Sequence, residues 1–197
     1  MRAIHRARAS LFGLFHHDGL YDRFISRGFR SLYAKVTTDV VSATPAGGTR
    51  VLDVGTGPGR VPLAIARALP GLRVEGLDLS AEMIDRARRN AAEAGLTGRV
   101  DFTVGDVADL PYPDGDFDLI VSSMSQHHWP DVATGLRELR RVLRPGGRIW
   151  IYDFRFALRR AETAARAAFP GHHVHVETVR TSRLPIGFVG RVVVETS

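Results

Sequence analysis

The sequence predicts an α/β chain: a doubly wound, mostly parallel sheet of seven strands with an antiparallel strand at its C-terminal edge, plus N-terminal helices. Three observations predict it. From residue 50 onward, short apolar runs of strand character alternate with segments of helical periodicity, joined by short connections. The first run passes directly into VLDVGTGPGR (Val51–Arg60), where three glycines stand two apart, at Gly55, Gly57 and Gly59. Two strand-like runs close the chain with no helix between them, and a pair joined that way is antiparallel.

Each element has its own signals. Residues 19–44 repeat Leu20, Phe24, Leu32, Val36 and Val40 at helical spacings, and Pro45–Gly48 reads as a turn. Strands are predicted over Arg50–Val54, Leu72–Leu77, Arg99–Val104, Phe117–Ser122 and Arg148–Asp153. Between them lie helices over Val61–Leu69, stopped by Pro70-Gly71, and over Ala81–Ala94, capped by Ser80 and ended by Gly95. A third, amphipathic helix spans Asp131–Leu143 and is broken by Pro145-Gly146-Gly147. An alanine-rich helix over Leu158–Phe169 precedes the closing strands, His173–Arg180 and Phe188–Glu195. Residues 1–47 divide off as a helical cover or lid, and 48–197 as the sheet domain.

Composition narrows the class. The 197 residues contain no cysteine, which removes disulfides and thiolate metal sites and predicts a reducing, cytoplasmic home. No apolar run approaches the ~20 residues of a membrane span, and LFGLF near the N-terminus is too short for a signal-peptide core. The net charge of +6 raises the question of nucleic acid. Its arginines are scattered and often stand beside acids, so a solvated basic surface is the preferred reading and nucleic acid is disfavoured as a partner.

The glycine loop sits where a doubly wound sheet binds ligands, at the carboxyl end of the first strand. Glycine admits positive φ and lets a ligand approach bare backbone. The order G-T-G-P-G-R puts Arg60 where a dinucleotide fingerprint needs its third glycine, and no G-K-[ST] marks a P-loop. Asp53 precedes the first glycine by two residues. D-V-G-T-G-P-G resembles the first motif of the Rossmann-like, class I S-adenosylmethionine-dependent methyltransferases, within them the small-molecule, type 11-like group. Further motifs fall in order: Leu77-Asp78, Val104-Gly105-Asp106, Asp109–Pro113, Phe117–Ile120 and Leu143–Gly147. The resemblance covers residues 48–153 well and the flanks in outline.

What the resemblance implies is specific. S-adenosyl-L-methionine would be the cofactor, leaving as S-adenosyl-L-homocysteine, and an acceptor nucleophile would attack its methyl group in line. Asp78 would take both ribose hydroxyls, Asp106 the adenine amino group, and Val107 would offer backbone. Asp53, Gly55, Thr56, Gly57, Gly59, Leu79, Met83, Gly105, Ser122 and Ser123 complete the expected donor set. The loop SSMSQHHW (Ser122–Trp129) offers the one evident base, at His127 or His128. Two roles stand for these histidines: proton acceptor, or packing that orients the loop. His127 is preferred as base, since Trp129 and Pro130 are expected to start the next helix and draw His128 to its cap.

A small molecule is the expected acceptor, apolar or aromatic: Phe12, Phe15, Tyr21, Phe24, Phe29 and Tyr33 crowd the N-terminal segment, Phe154 and Phe156 follow the fifth strand, and some would line an apolar pocket if the N-terminal helices fold over the donor site. A second subunit could complete the pocket, making a homodimer one reading. His16-His17 reads as a loop. His173 and His175 share a strand face without a third ligand in view, so no metal is expected. Competing readings are a methyltransferase for RNA or protein, a non-catalytic fold-mate and a nicotinamide oxidoreductase. The first lacks an Asn/Asp-Pro-Pro-Tyr motif and the last lacks its third glycine.

Overall fold

The structure, a computed structural model, describes residues 19–44, 49–184 and 186–196, with side chains from residue 29 onward. The expected turn at 45–48, Phe12, Phe15, His16, His17 and the side chains of Tyr21 and Phe24 lie outside what is described.

Seven strands form one sheet in the order β3-β2-β1-β4-β5-β7-β6. They are β1 Arg50–Val54, β2 Arg73–Asp78, β3 Val100–Val104, β4 Phe117–Ser123, β5 Leu143–Phe154, β6 His173–Thr178 and β7 Val189–Glu195. The first five are parallel, and β7 runs antiparallel to both β5 and β6. The antiparallel strand thus lies one place in from the edge, which β6 occupies. The helices are α1 Gly19–Ala43, α2 Arg60–Ala68, α3 Ala81–Glu93, α4 Val132–Val142 and α5 Arg155–Ala168.

Each sheet face buries its own core. On one, Leu32, Val36 and Val40 of α1, four residues apart, pack with Val61 and Ile65 of α2, Ile84 of α3 and Val51 and Val121 of the sheet. On the other, Leu136 and Leu139 of α4 and Leu158 and Ala161 of α5 pack on Leu52, Ile120 and Ile149. The strands alternate between the two, which is why a central run such as Val51-Leu52 is apolar at consecutive positions. At its C-terminal half α1 is fixed to β5 and β7 by polar contacts: Tyr152 Oη donates to Asp39 Oδ2 at 2.9 Å, and Arg191 Nη1 to Tyr152 Oη at 2.9 Å.

Several boundaries moved: α5 begins at Arg155, three residues before the expected Leu158, β6 ends at Thr178 rather than Arg180, and two shifts bear on the site. Leu143 already pairs with Phe117, and a register shift carries Pro145-Gly146-Gly147 through a bulge before Arg148 meets Leu119, so the strand begins five residues earlier than expected. Helix α4 is capped by Asp131, whose carboxylate accepts from Thr134 N at 3.0 Å; Trp129 and Pro130 precede it. His128 therefore does not cap a helix. It sits with His127 in a single 3-10 turn, Gln126–His128.

Candidate active site

Strands β1 and β4 are neighbours whose following connections lead to opposite sides of the sheet, the switch point where a crevice opens. The three glycines after β1 all take left-handed φ, 72°, 53° and 77° in order, which L side chains resist. Their surroundings differ. A Cβ on Gly55 would lie 1.8 Å from Ser125 Oγ, so this glycine admits the loop that follows β4. One on Gly59 would lie 2.8 Å from Phe102 Cζ, so this glycine seats the loop on β3. One on Gly57 would meet nothing within 4 Å among the described residues. Only the middle glycine borders open space.

Two acids hold the loop. Asp53 is buried; Thr56 Oγ1 donates to its Oδ2 at 2.8 Å, while its Oδ1 has no partner among the described residues. Burial pushes the Asp53 carboxyl up to about 7; the Thr56 bond opposes this, and the charge of Asp78 adds to it. Asp78, at the end of β2, accepts from Gly57 N at 2.7 Å and Ser80 N at 2.9 Å. Each oxygen keeps a lone pair, and Asp78 stays partly open to solvent. Beside the loop a cleft of about 470 Å3 is lined by Tyr33, Pro58, Arg60 and Asn90 among others. Burial raises the Tyr33 phenol; Arg60 pulls it down and Asp53 pushes it up, which brings α1 electrostatically into the same site.

The remaining predicted residues lie along the carboxyl edge. Leu79 and Val104, 70% and 47% exposed, are large apolar side chains left uncovered beside Asp78 and Gly105. Met83 N donates to Ser80 Oγ at 3.3 Å, capping α3. Gly105 leaves room for Leu77, whose Cδ1 would sit 2.8 Å from an added Cβ. Asp106 is exposed and turns the chain through its Oδ1, which accepts from Ala108 N at 2.9 Å; Val107 points into the core. Ser122 and Ser123 are buried at the end of β4, Ser122 Oγ without a partner.

After β4 the chain turns on Met124, a non-glycine residue at φ 55°. That turn brings His127 over the end of β5. His127 Nδ1 lies 2.8 Å and 3.0 Å from the two carboxylate oxygens of Asp153, and His127 N donates to Asp153 Oδ2 at 3.0 Å. Asp153 is fully buried and also accepts from Phe154 N at 2.7 Å. A carboxylate only accepts, so the ring proton sits on Nδ1 and Nε2 is left as a base. His128 is tilted against His127 at 3.9 Å between ring centroids; partial burial and then its neighbour lower its basicity. The geometry fixes the His127 ring against the Asp153 carboxylate.

Residues 51–147 match the family model described as a methyltransferase domain, from the first residue of the β1 core to the glycines of the β5 bulge. Over these residues the chain carries a methyltransferase domain, on the class I fold. The ubiquinone/menaquinone biosynthesis C-methyltransferase UbiE of Geotalea daltonii is 34% identical over 134 residues, 68% of this chain and 56% of that protein. The 27-O-demethylrifamycin SV methyltransferase of Amycolatopsis mediterranei is 40% identical over 107 residues, 54% and 39% respectively. This chain spans about half the length of the curated relatives it matches. A SAM-dependent methyltransferase structure from Aquifex aeolicus matches with TM-score 0.69 at 21% identity, covering 84% of this chain and 89% of that one. The [4+2]-cyclase SpnF matches with TM-score 0.70 at 24% identity, covering 82% and 80%. These two likenesses are of fold, and a fold shared by a cyclase and a methyltransferase leaves the chemistry to the site.

S-adenosylmethionine is the cofactor of this family, and the methyltransferase domain described above fits it. The fit rests on three features: the unpartnered, buried Asp53 Oδ1, the open face of Gly57, and the uncovered apolar side chains of Leu79 and Val104. Sequence reading missed Asp153, Ser125, Tyr33 in its polar role, and Arg60. Asp153 had a signal: it is the single acid ending the apolar run IWIYD. Arg60 stands in the loop sequence but reads there only as a departure from the dinucleotide fingerprint; Ser125 and Tyr33 had no signal, since only packing brings them to the loop.

Proposed function

We propose that this chain transfers the methyl group of S-adenosylmethionine, in line, to a small apolar or aromatic acceptor. The observation that carries the reading is Asp53 Oδ1, a carboxylate oxygen buried without a partner beside an open glycine. Such a group is unfavourable until a donor arrives, and a cationic amino group supplies one. When bound, the cofactor provides a methyl group already activated on a sulfonium. In this reading Asp53 and Thr56 face the amino-acid end, Asp78 the ribose and Asp106 with Val107 the adenine. Leu79, Met83, Val104 and Gly105 shape the apolar walls, and Ser122 and Ser123 floor the crevice.

His127 Nε2 accepts the proton of the acceptor nucleophile, while Asp153 holds the ring and steadies the imidazolium that forms. The acceptor lies against Phe154, whose ring centroid is 5.3 Å from those of His127, Phe156 and Phe188 and 6.1 Å from that of Phe29. Phe156 is 77% exposed and Phe188 45%, apolar surface of the kind a ligand covers. Residues 1–47 act as the cover of this site, through Phe29 and Tyr33 of α1.

The test is calorimetric titration with S-adenosylhomocysteine, beside NADH, on the wild type and on Asp78→Ala, with thermal unfolding to confirm the fold of each. Micromolar binding of the first ligand alone, lost in the variant, is expected. Binding of NADH, or of neither, sinks the reading.

A further inference from the structure

A second cavity, of about 500 Å3, is lined by Arg30, Ser31, Ser182 and Arg183. Arg30 and Ser31 belong to α1; Ser182 and Arg183 to the connection between β6 and β7. The cavity's lining residues are two arginines and two serines, with no acid among the described residues. Among the described residues neither Arg30 nor Arg183 has an ion-pair partner, whereas the nearby Arg191 is paired with Glu177 and Asp39. Two unneutralised cations facing one space repel each other, and an anion there relieves both.

Its place in the molecule gives the cavity a role. The two segments that line it also send one aromatic side chain each to Phe154: Phe29 from α1 and Phe188 from the β6–β7 connection. Phe154 in turn borders His127. Arg30 also lines the cleft beside the glycine loop, so the cavity adjoins the donor side as well. An apolar aromatic cluster and a cationic cavity are therefore built from the same pieces of chain, next to the oriented histidine.

We propose that this cavity takes an anionic group of the acceptor, so that the substrate is a small aromatic acid, a carboxylate or a phosphate, and not a neutral lipid-like molecule. The inference rests on the methyltransferase reading for the word acceptor; the cavity's preference for an anion is measured without it. The Arg30 and Arg183 guanidinium groups bind the acid, the Ser182 hydroxyl adds a donor, and the aromatic body lies on Phe154, Phe156 and Phe188.

The probes are 4-hydroxycinnamate and its neutral amide, titrated into the chain with and without saturating S-adenosylhomocysteine. The wild type is expected to bind the acid about tenfold or more tightly than the amide, about 1.4 kcal/mol. Arg183→Gln and the double variant Arg30→Gln/Arg183→Gln lose that preference, while Arg89→Gln, which removes an exposed arginine of α3, keeps it. Equal affinity for acid and amide, no binding of the acid, or a preference that survives the double variant overturns the proposal. Should Arg183→Gln weaken S-adenosylhomocysteine as much as the acid, the cavity reads the donor's carboxylate and the proposal also falls. Failure of S-adenosylhomocysteine to bind the wild type strikes the methyltransferase reading alone, because the acid-against-amide comparison stands without it.

Discussion

Alanine at each of the three loop glycines should produce three different phenotypes. All three positions are left-handed, so each substitution carries the conformational cost of an L residue there, about 1–2 kcal/mol. At Gly57 nothing among the described residues stands within 4 Å of the new methyl group, and that cost is the whole effect on folding. For a chain of this length it lowers Tm by about 2–8 °C. The same methyl group projects into the space assigned to the donor, so S-adenosylhomocysteine affinity should fall at least tenfold, or about 1.4 kcal/mol. At Gly59 the methyl group meets Phe102 Cζ at 2.8 Å and Ala87 Cβ at 3.1 Å. Overpacking adds about 1–3 kcal/mol, giving a total near 2–5 kcal/mol and a much larger fall in Tm, with affinity of the folded fraction near wild type. At Gly55 the clash is with Ser125, so the 3-10 turn carrying His127 is displaced. Thermal unfolding and calorimetry on the three variants read both quantities. Wild-type affinity in Gly57→Ala, or a Gly59→Ala variant no less stable than Gly57→Ala, would refute the division of roles.

Other outcomes follow from the same geometry. Nitrogen NMR of the imidazoles should show His127 as the Nδ1–H tautomer, and Asp153→Asn should shift that population and cost about 1–3 kcal/mol by placing an amide donor against backbone N–H groups; an Nε2–H ring in the wild type contradicts the pairing. Asp53 holds its proton to about pH 7 when folded but only to about pH 4 when unfolded, so its contribution to stability is full below pH 4 and lost as pH rises toward 7. Affinity for S-adenosylhomocysteine, whose ammonium needs the ionised acid, should instead rise from pH 5.5 to 7.5; Asp53→Asn flattens both profiles, and a wild-type affinity independent of pH counts against the assignment. Tyr152→Phe removes one buried hydroxyl but leaves Arg191 beside Asp39 at 3.4 Å, so a loss of about 1 kcal/mol, or about 2–4 °C, is expected by thermal unfolding, and no loss means the contact does not fasten α1.

The amino-acid sequence by itself determined the α/β class, the number of strands, the position of the glycine loop and the order of the acids along the carboxyl edge. These are local properties: strand alternation, caps such as Ser80, and glycines where φ must be positive are written in adjacent residues. The start of β5 at Leu143 was not legible, because pairing with Phe117 outweighs what Pro145-Gly146-Gly147 prefers in isolation. Nor could the sequence distinguish the three glycines, whose roles depend on Ser125, on Phe102 and on open space. Nor was the pairing of His127 with Asp153 legible: the two stand 26 residues apart, and a left-handed turn at Met124 swings the loop onto the end of β5. Contacts between distant segments form only when the sheet brings strand ends together, and so tertiary structure alone decided which neighbours each of these residues has.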